Sequence, residues 1–200
     1  PLKSLNFATL RVKDAVADRF RAKGGERPSV NTQWPDVRLY AHLTTDHMTL
    51  YIDTSGEPLF KRGWRVDKGD APLKETLAAA MLAASGWSMP LLSAPGEAPP
   101  STPQTSGVEQ GLSLYDPCCG SGTIAIEAAS IACNMAPGLM RRFAFEKLLP
   151  YQAHVWDGLR DHARAAQVAP RAPVFGSDVA FRMVDFAQRN ADRAGVAHAL

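Results

Sequence analysis

The amino-acid sequence predicts an α/β domain whose parallel sheet binds a ligand at the carboxyl ends of its strands. The first observation is Leu112–Ala129, an apolar strand that ends at Asp116 and is followed by a loop of small residues and a helix starting at about Thr123. The second is Ala172–Asp178, another apolar run that ends in an acid. The third is their order, strand then helix twice over, which predicts a parallel sheet with right-handed crossovers.

The first predicted element of the chain is a helix over Asn6–Lys23, because apolar residues recur there at helical spacing and two glycines follow. Basic residues outnumber acidic ones in this segment. Its surface is either a contact for an RNA backbone, with Arg11 and Lys23 as the candidate residues, or an ordinary solvated face.

A β-hairpin is predicted next, since Val37–Leu43 and His47–Asp53 alternate in the manner of strands on either side of the polar loop Thr44–Asp46. One helix and one hairpin are too little for an independent domain. Residues 1–56 are therefore predicted to be a part of an α+β domain and not a whole one.

A basic connector follows at residues 57–70, in which lysines and arginines interleave with aromatic residues. Arginine and aromatic side chains together can hold phosphates and stack on bases, which makes Arg62, Trp64 and Arg65 candidate RNA contacts. The alternative is a domain linker whose aromatic residues simply pack.

Residues 71–200 are predicted to form the N-terminal part of the α/β domain. A helix is expected over Ala71–Ser85, with Pro72 near its first turn and Gly86 after its end. Residues 94–111 are rich in Pro, Ser, Gly and Thr, and we expect a flexible exposed loop there before the first strand of the sheet. The predicted buried stripe of the helix is Leu73, Leu77, Ala80, Met81 and Ala84.

A long helical insertion, residues 134–173, separates the two strands and explains why their acids are far apart in sequence. Helices are predicted over Phe143–Leu149 and Val155–Gln167, the second with an apolar stripe spaced for packing. The helix after the second strand is expected to span Phe181–Ala194 and to stop at Gly195.

The loop between Asp116 and Thr123 narrows the kind of ligand that the sheet can bind. Its glycines let the backbone approach a ligand closely, and the helix start offers N–H groups to an anion. A dinucleotide site needs a third glycine and an acid about 20 residues further on, and the sequence has neither at the right offset. A nicotinamide-dependent oxidoreductase is therefore disfavoured.

S-adenosylmethionine fits the loop better, because this molecule carries an ammonium group, a carboxylate and a ribose diol. Asp116 would attract the ammonium group and would repel a pyrophosphate. The loop amides would bind the carboxylate, and Asp178 would bind the diol. The candidate cofactor residues are Asp116, Pro117, Cys118, Gly120, Ser121, Gly122, Asp178 and Val179.

The run Asp116–Thr123, Asp-Pro-Cys-Cys-Gly-Ser-Gly-Thr, with Ile-Glu-Ala-Ala shortly after it, resembles motif I of the THUMP-domain RNA methyltransferases. Three further stretches, Gly63–Ala79, Ala136–Arg142 and Gly176–Val196, are also similar to this family, so the resemblance covers nearly the whole chain. Within the family, the chain looks most like the bacterial 23S rRNA guanine-N2 methyltransferases.

This resemblance implies a Rossmann-like S-adenosylmethionine-dependent methyltransferase domain, incomplete in this chain, preceded by the rear part of an α+β THUMP domain of ferredoxin-like type. It implies S-adenosyl-L-methionine as the cofactor, ribosomal RNA as the partner and guanine N2 as the methylated group, with adenine N6 as the alternative target. It also places the helix start at Pro72–Thr76 beside the cofactor, which makes Thr76 a further candidate.

Enzymes of this family hold the target amine in an Asn/Asp-Pro-Pro-Tyr/Phe loop, whose acceptors bind the amine and whose ring stacks on a flipped base. The sequence contains no such tetrapeptide. The chain is therefore expected to be an inactive fragment cut at both ends, with the catalytic residues beyond residue 200, and no catalytic residue is assigned. A non-catalytic RNA-binding module is the alternative.

The composition is that of an ordinary soluble protein, with 46% hydrophobic and 21% charged residues and a net charge of +2. Bulk charge alone does not argue for nucleic acid. No apolar run reaches the roughly 18 residues of a membrane span, and the start does not resemble a signal peptide. The three cysteines, Cys118, Cys119 and Cys133, are not spaced for zinc, so no metal is expected, and they fit a reducing cytoplasm.

Overall fold

A computed structural model describes residues 4–87 and 113–200 of the chain. The chain divides into two compact units, the first formed by Pro1–Gly56 with Phe143–Tyr151 and the second by Glu57–Arg142 with Gln152–Leu200. The predicted loop at residues 94–111, together with Leu112, lies outside the described residues. Within residues 4–87 and 113–200, no helix is long and apolar enough to cross a membrane.

The first unit begins with helix α1, Leu5–Ala22, which confirms the helix predicted from the spacing of apolar residues. Ser4 caps its start by accepting a hydrogen bond from the Phe7 N–H at 3.5 Å. Gly24 ends it with a positive φ of 78°, a conformation that glycine adopts without the steric cost of a Cβ atom. Ala17 is the residue of α1 that is buried.

The predicted hairpin is also confirmed, as strands β1, Arg38–Leu43, and β2, Met48–Asp53. The two strands pair antiparallel in a register that runs from Arg38 opposite Asp53 to Leu43 opposite Met48. The turn is closed because the Thr44 N–H donates to the His47 carbonyl at 2.9 Å and the His47 N–H donates to the Thr44 hydroxyl at 3.0 Å.

The prediction of a helix over Phe143–Leu149 is wrong, because only a short 3-10 turn forms there, at Ala144–Lys147. The Glu146 carboxylate accepts from the Phe143 N–H at 2.7 Å, which closes the segment as a single turn. The Phe145 N–H donates to the Thr54 carbonyl at 3.0 Å. This backbone contact fastens the segment to the end of the hairpin, and it explains why part of the predicted insertion belongs to the first unit.

The second unit contains the predicted parallel strands, β3, Leu114–Asp116, and β4, Val174–Gly176. Their register places Leu114 opposite Val174 and Asp116 opposite Gly176. The parallel pairing confirms the α/β class that the strand and helix order predicted.

Among the residues that the structure describes, the second unit has four α-helices, and the central one is α3, Thr123–Ala132. Its residues Ile126, Ala128 and Ala129 are fully buried, and Val174 of β4 is 1% exposed in the same core. The small alanines let neighbouring elements approach closely, and the burial of apolar surface supplies most of the stabilisation of the unit. The helices are α2, Glu75–Ala84, α3, Thr123–Ala132, α4, Ala153–Ala165, and α5, Phe181–Ala194.

Helix α5 has the bounds that the sequence predicted. Gly195 stops it with a φ of 76°, and the Val196 N–H then donates back to the Ala191 carbonyl at 3.0 Å. Val196 is fully buried in the core just after this stop. The glycine therefore turns the chain and seats the next apolar residue.

Helix α2 differs from its prediction in both its start and its buried face. It begins at Glu75, since the residue before it, Lys74, is still extended with ψ 136°. Glu75, Ala78 and Leu82 are buried, whereas Leu77 and Met81 are about half exposed, so the predicted stripe is wrong. The helix is apolar almost all round, and an ion pair buries Glu75, so the spacing of apolar residues did not identify the core side.

Helix α4 carries no buried residue, although its apolar residues were expected to pack. Val155 is 48% exposed and Leu159 is 58% exposed. An amphipathic pattern identifies an apolar side of a helix but does not specify what covers it.

Candidate cofactor-binding site

Two carboxylates flank the glycine loop at one edge of the parallel sheet. Asp116 is the last residue of β3, and Asp178 follows β4 by two residues. Because Asp116 pairs with Gly176 in a parallel ladder, both acids lie beyond the carboxyl ends of neighbouring strands. The Ser177 N–H donates to the Asp116 carbonyl at 2.9 Å, and the Cys119 N–H donates to the Ser177 carbonyl at 2.8 Å, so the two strand ends are bound to each other.

Asp178 is an acceptor for two backbone segments at once. Its Oδ2 accepts from the Gly120 N–H at 3.0 Å, and its Oδ1 accepts from the Ala180 N–H at 2.8 Å. These bonds hold the tip of the loop and the approach to α5. Each carboxylate oxygen has more than one lone-pair site, so Asp178 can also accept hydrogen bonds from a diol. Asp116 makes one such backbone bond, from the Cys118 N–H at 3.2 Å.

The two glycines of the loop have different tasks. Gly120 has a φ of 53°, and a Cβ atom built on it would meet no atom within 4 Å. Gly122 has a φ of 88°, and its Cβ would lie 3.0 Å from the Ala187 Cβ and 3.1 Å from the Ile126 Cδ1. Gly120 therefore leaves open space beside the backbone, where a ligand can approach, whereas Gly122 lets α5 pack against the loop.

The start of α3 offers positive charge to an anion. Gly122 is the N-cap residue and supplies no side chain to cap the helix. The first N–H groups of a helix have no intrahelical acceptor, and the helix dipole favours a negative group there. The first N–H groups of α3 and the two carboxylates, Asp116 and Asp178, make a donor and acceptor set that suits an amino-acid nucleoside such as S-adenosylmethionine.

The neighbouring cysteines of the loop have opposite environments. Cys118 is exposed, and Cys119 is 7% exposed beneath the loop. Burial raises the pKa of the Cys119 thiol to about 11, with the charges of Asp116 and Asp178 adding to the increase. Cys119 is therefore a neutral packing residue against Gly176, whose Cβ would approach the Cys119 Cβ to 3.2 Å.

We expect N-ethylmaleimide at about pH 8 to modify one thiol rapidly, at Cys118, because the reagent needs access and a thiolate. Cys119 and Cys133 are buried, and burial raises the pKa of both thiols, so both should react slowly. Mass spectrometry of tryptic peptides over time measures the three rates. Cys118→Ser should abolish the fast phase; a second rapidly labelled thiol in that variant would contradict the buried position of its neighbour.

Val179 and Thr76, the two peripheral cofactor candidates, are both exposed. Val179 is fully exposed beside Asp178. Thr76 lies on the first turn of α2, next to the buried Glu75. Their contact with a cofactor stays a prediction.

The connector residues predicted to contact RNA are engaged inside the second unit. The Trp64 ring is 4% exposed and packs in the core. The prediction that this ring stacks on a base is therefore corrected. Arg62 forms a two-pronged ion pair with Glu127, at 3.1 and 3.2 Å. Arg65 pairs with Glu75 at 3.0 Å. The structure favours the alternative interpretation, a linker whose side chains pack, whereas Arg11 and Lys23 are exposed and remain predictions.

Sequence reasoning missed Asn190, a fully buried amide on α5. Its Nδ2 donates to the Ser121 carbonyl at 3.0 Å and to the Asp67 carbonyl at 2.8 Å. The available signal was a polar residue close to Ala187 and Ala191 in the predicted helix Phe181–Ala194, because a polar residue among small apolar ones is buried only where it finds hydrogen-bond partners.

Comparison with known proteins gives two family matches. Residues 62–90 and 103–200 match a family described as "RMKL-like, methyltransferase domain", and residues 2–53 match the THUMP domain. The THUMP match precedes the methyltransferase match along the chain, which is the order that the resemblance implied.

Curated relatives carry the name "Ribosomal RNA large subunit methyltransferase K/L". The protein of Psychromonas ingrahamii is 40% identical over 203 residues, which is 98% of this chain and 24% of that protein. The protein of Shewanella sediminis is 44% identical over 195 residues, which is 95% of this chain and 25% of that protein. The chain thus spans about a quarter of the length of these relatives.

Solved structures share the fold. A protein of Listeria monocytogenes described as a predicted N6-adenine-specific DNA methylase is 32% identical with a TM-score of 0.71, over 98% of this chain and 46% of that one. SMU.472, a proposed methyltransferase complexed with SAH, is 30% identical with a TM-score of 0.68, over 94% and 44%. Together with the methyltransferase match over most of the residues, these findings confirm the resemblance and the fold class: the chain belongs to the family of RMKL-like methyltransferase domains.

Proposed function

We propose that this chain carries the cofactor-binding part of an S-adenosylmethionine-dependent methyltransferase that acts on RNA of the large ribosomal subunit. The observation that carries the proposal is the pair Asp116 and Asp178, at the ends of adjacent parallel strands on either side of a glycine loop. The names of the curated relatives support the choice of ribosomal RNA.

Three polar groups of the cofactor, the ammonium group, the carboxylate and the ribose diol, each have a complementary partner in this arrangement. Asp116 would hold the ammonium group, and the N–H groups at the start of α3 would hold the carboxylate. Most amides of the loop already donate within the protein, at Cys118, Cys119, Gly120 and Gly122. Asp178 would accept from the ribose hydroxyls, and Val179 beside it offers an apolar contact to the nucleoside. Asp116 would also repel the pyrophosphate of a dinucleotide, which disfavours a nicotinamide cofactor.

When bound, S-adenosylmethionine supplies an electrophilic methyl group on its sulfonium. The residues of this chain bind and orient it, and we assign no catalytic residue among them. The proposed acceptor is a guanine N2 in 23S ribosomal RNA. An adenine N6 is the second candidate, supported by the description of the Listeria monocytogenes relative. Such a reaction would take place in the cytoplasm.

The same proposal assigns a role to each segment of the chain. Residues 1–56 would be the C-terminal part of a THUMP-like RNA-binding domain, and the exposed Arg11 and Lys23 are its proposed RNA contacts. Residues 57–70 would be a connector, and residues 71–200 the N-terminal part of the methyltransferase domain. The THUMP match over residues 2–53 supports the first assignment.

Asp178→Ala should weaken the binding of S-adenosylhomocysteine by about 1–3 kcal/mol, the range for losing hydrogen bonds to a charged acceptor. Isothermal titration calorimetry measures the affinity. Asp185→Ala is the matched control, since this carboxylate lies on α5 in an exposed pair with Arg189 and should leave the affinity unchanged. Equal affinity of Asp178→Ala and wild type would remove Asp178 from the site. A thermal-shift comparison of S-adenosylhomocysteine with NAD tests the cofactor class, and stabilisation by NAD alone would overturn the proposal.

A further inference from the structure

The connector at residues 57–70 is fastened to helices of the second unit by polar contacts that are largely removed from solvent. Arg62 reaches Glu127 on α3, with the two side chains 13% and 7% exposed. Two other contacts of this connector, made through Arg65 and Asn190, extend to the residues on either side of Gly122. These two contacts carry the inference.

The Arg65 guanidinium joins the connector to the starts of two helices. Its Nε donates to the Glu75 carboxylate at 3.0 Å, and its Nη2 donates to the Leu73 carbonyl at 2.9 Å and to the Thr123 Oγ1 at 2.8 Å. Three acceptors fix a planar guanidinium firmly, because its donors lie in a rigid fork. Thr123, which is 5% exposed, is therefore held at a defined place where α3 begins.

Asn190 acts from the other side of the loop. Its Nδ2 donates to the Ser121 carbonyl at 3.0 Å and to the Asp67 carbonyl at 2.8 Å, while its Oδ1 accepts from the Val66 N–H at 3.3 Å. Both amide donors and the carbonyl oxygen are thus satisfied, as a buried amide requires. One side chain therefore joins the connector backbone to the glycine loop.

We infer that Arg65 and Asn190 are positioning residues that hold the glycine loop in its binding conformation. They hold Ser121 and Thr123, the two neighbours of Gly122, so that the N–H groups at the start of α3 already have their orientation when an anionic group binds. Groups held in place before binding cost less entropy on association. The inference rests on the proposed function, in that the ligand is the cofactor, and both side chains would act on it through the residues that they hold.

Two variants separate positioning from general stability. Asn190→Asp keeps the size of the side chain and can still accept from the Val66 N–H and from the Arg193 guanidinium, but it cannot donate to the Ser121 and Asp67 carbonyls. Thr123→Val keeps the shape and removes only the acceptor for Arg65. Each variant loses one hydrogen bond that reaches the loop, from Asn190 to Ser121 or from Arg65 to Thr123. In the full chain, each should bind S-adenosylhomocysteine about 3- to 10-fold more weakly, the range for that one bond.

The matched control is Arg141→Gln. Arg141 donates to the Pro58 and Glu57 carbonyls, so it fastens the same connector at its first two residues. Its variant should bind S-adenosylhomocysteine with wild-type affinity even where urea unfolding shows lost stability. Equal weakening by Arg141→Gln would overturn the positioning role, and so would wild-type affinity in both Asn190→Asp and Thr123→Val.

Amide hydrogen exchange without ligand tests the positioning role separately from the proposed function. The Gly122 N–H donates to the Cys119 carbonyl at 2.8 Å, so its exchange rate reports how well the loop is held. In Asn190→Asp this amide should exchange faster, while the amide of Ser177, which donates to the Asp116 carbonyl just after β4, keeps its rate. Unchanged exchange at Gly122 would overturn the inference. A wild type that binds no S-adenosylhomocysteine but shows faster Gly122 exchange in the variant would overturn the proposed cofactor and retain the positioning role.

Discussion

Gly122→Ala should lower the free energy of unfolding of the second unit by about 2–5 kcal/mol and abolish measurable cofactor binding. Two costs combine at this position. The φ of 88° is unfavourable for any residue with a Cβ atom, and the added methyl would lie 3.0 Å from the Ala187 Cβ and 3.2 Å from the Ala187 Cα. The second contact is to backbone, so relief requires α5 to move away from the loop.

Urea unfolding followed by tryptophan fluorescence measures the loss, because Trp64 is buried in the core of this unit. Gly120→Ala is the matched control, since its Cβ would meet no atom within 4 Å and only the cost of a positive φ remains, about 1 kcal/mol. The methyl of that variant would project into the space proposed for the ligand, so Gly120→Ala should lose affinity with little loss of stability. Equal destabilisation by both substitutions would show that packing against Ala187 does not matter.

The sequence predicted the elements whose limits are set by local chemistry. Gly195 marks the end of α5 because a positive φ there suits glycine, and the apolar run to Asp116 marks β3 because a strand ends where small loop residues begin. The two acids could be placed together because parallel strands expose their carboxyl ends at one edge. These inferences need only neighbours in sequence and one rule of topology.

What the sequence did not predict depends on partners that are distant along the chain. Glu75 is buried only because Arg65 reaches it, and Asn190 is buried only because the connector and the glycine loop both bind it. Basic and aromatic residues in a short segment are equally compatible with an RNA surface and with an internal anchor. Spacing alone could not tell that Arg62 and Trp64 face inward, since that depends on Glu127 and on the alanine-rich core.

Loss of the ion pair between Arg62 and Glu127 has the second largest expected effect on stability. Arg62→Gln should lower the free energy of unfolding by about 3–5 kcal/mol at neutral pH, the range for leaving one partner of a buried ion pair without its counter-charge. Burial raises the pKa of the Glu127 carboxyl even though Arg62 lowers it in part. Removing Arg62 should therefore raise that pKa further, because only the opposing effect is lost.

The pH dependence of this loss has a definite sign. A carboxyl whose pKa is higher in the folded state than in the unfolded state binds its proton more tightly when folded, so protonation favours folding as the pH falls through the folded pKa. The deficit of Arg62→Gln should thus be largest at about pH 7.5 and smaller at about pH 5, in urea unfolding followed by fluorescence. The double variant Arg62→Gln with Glu127→Gln removes the buried charge and should recover most of the loss at the higher pH. The opposite result would be a loss of stability that is the same at both pH values and persists in the double variant. It would mean that the connector is held to α3 by packing of the Arg62 side-chain carbons and not by the ion pair of Arg62 with Glu127.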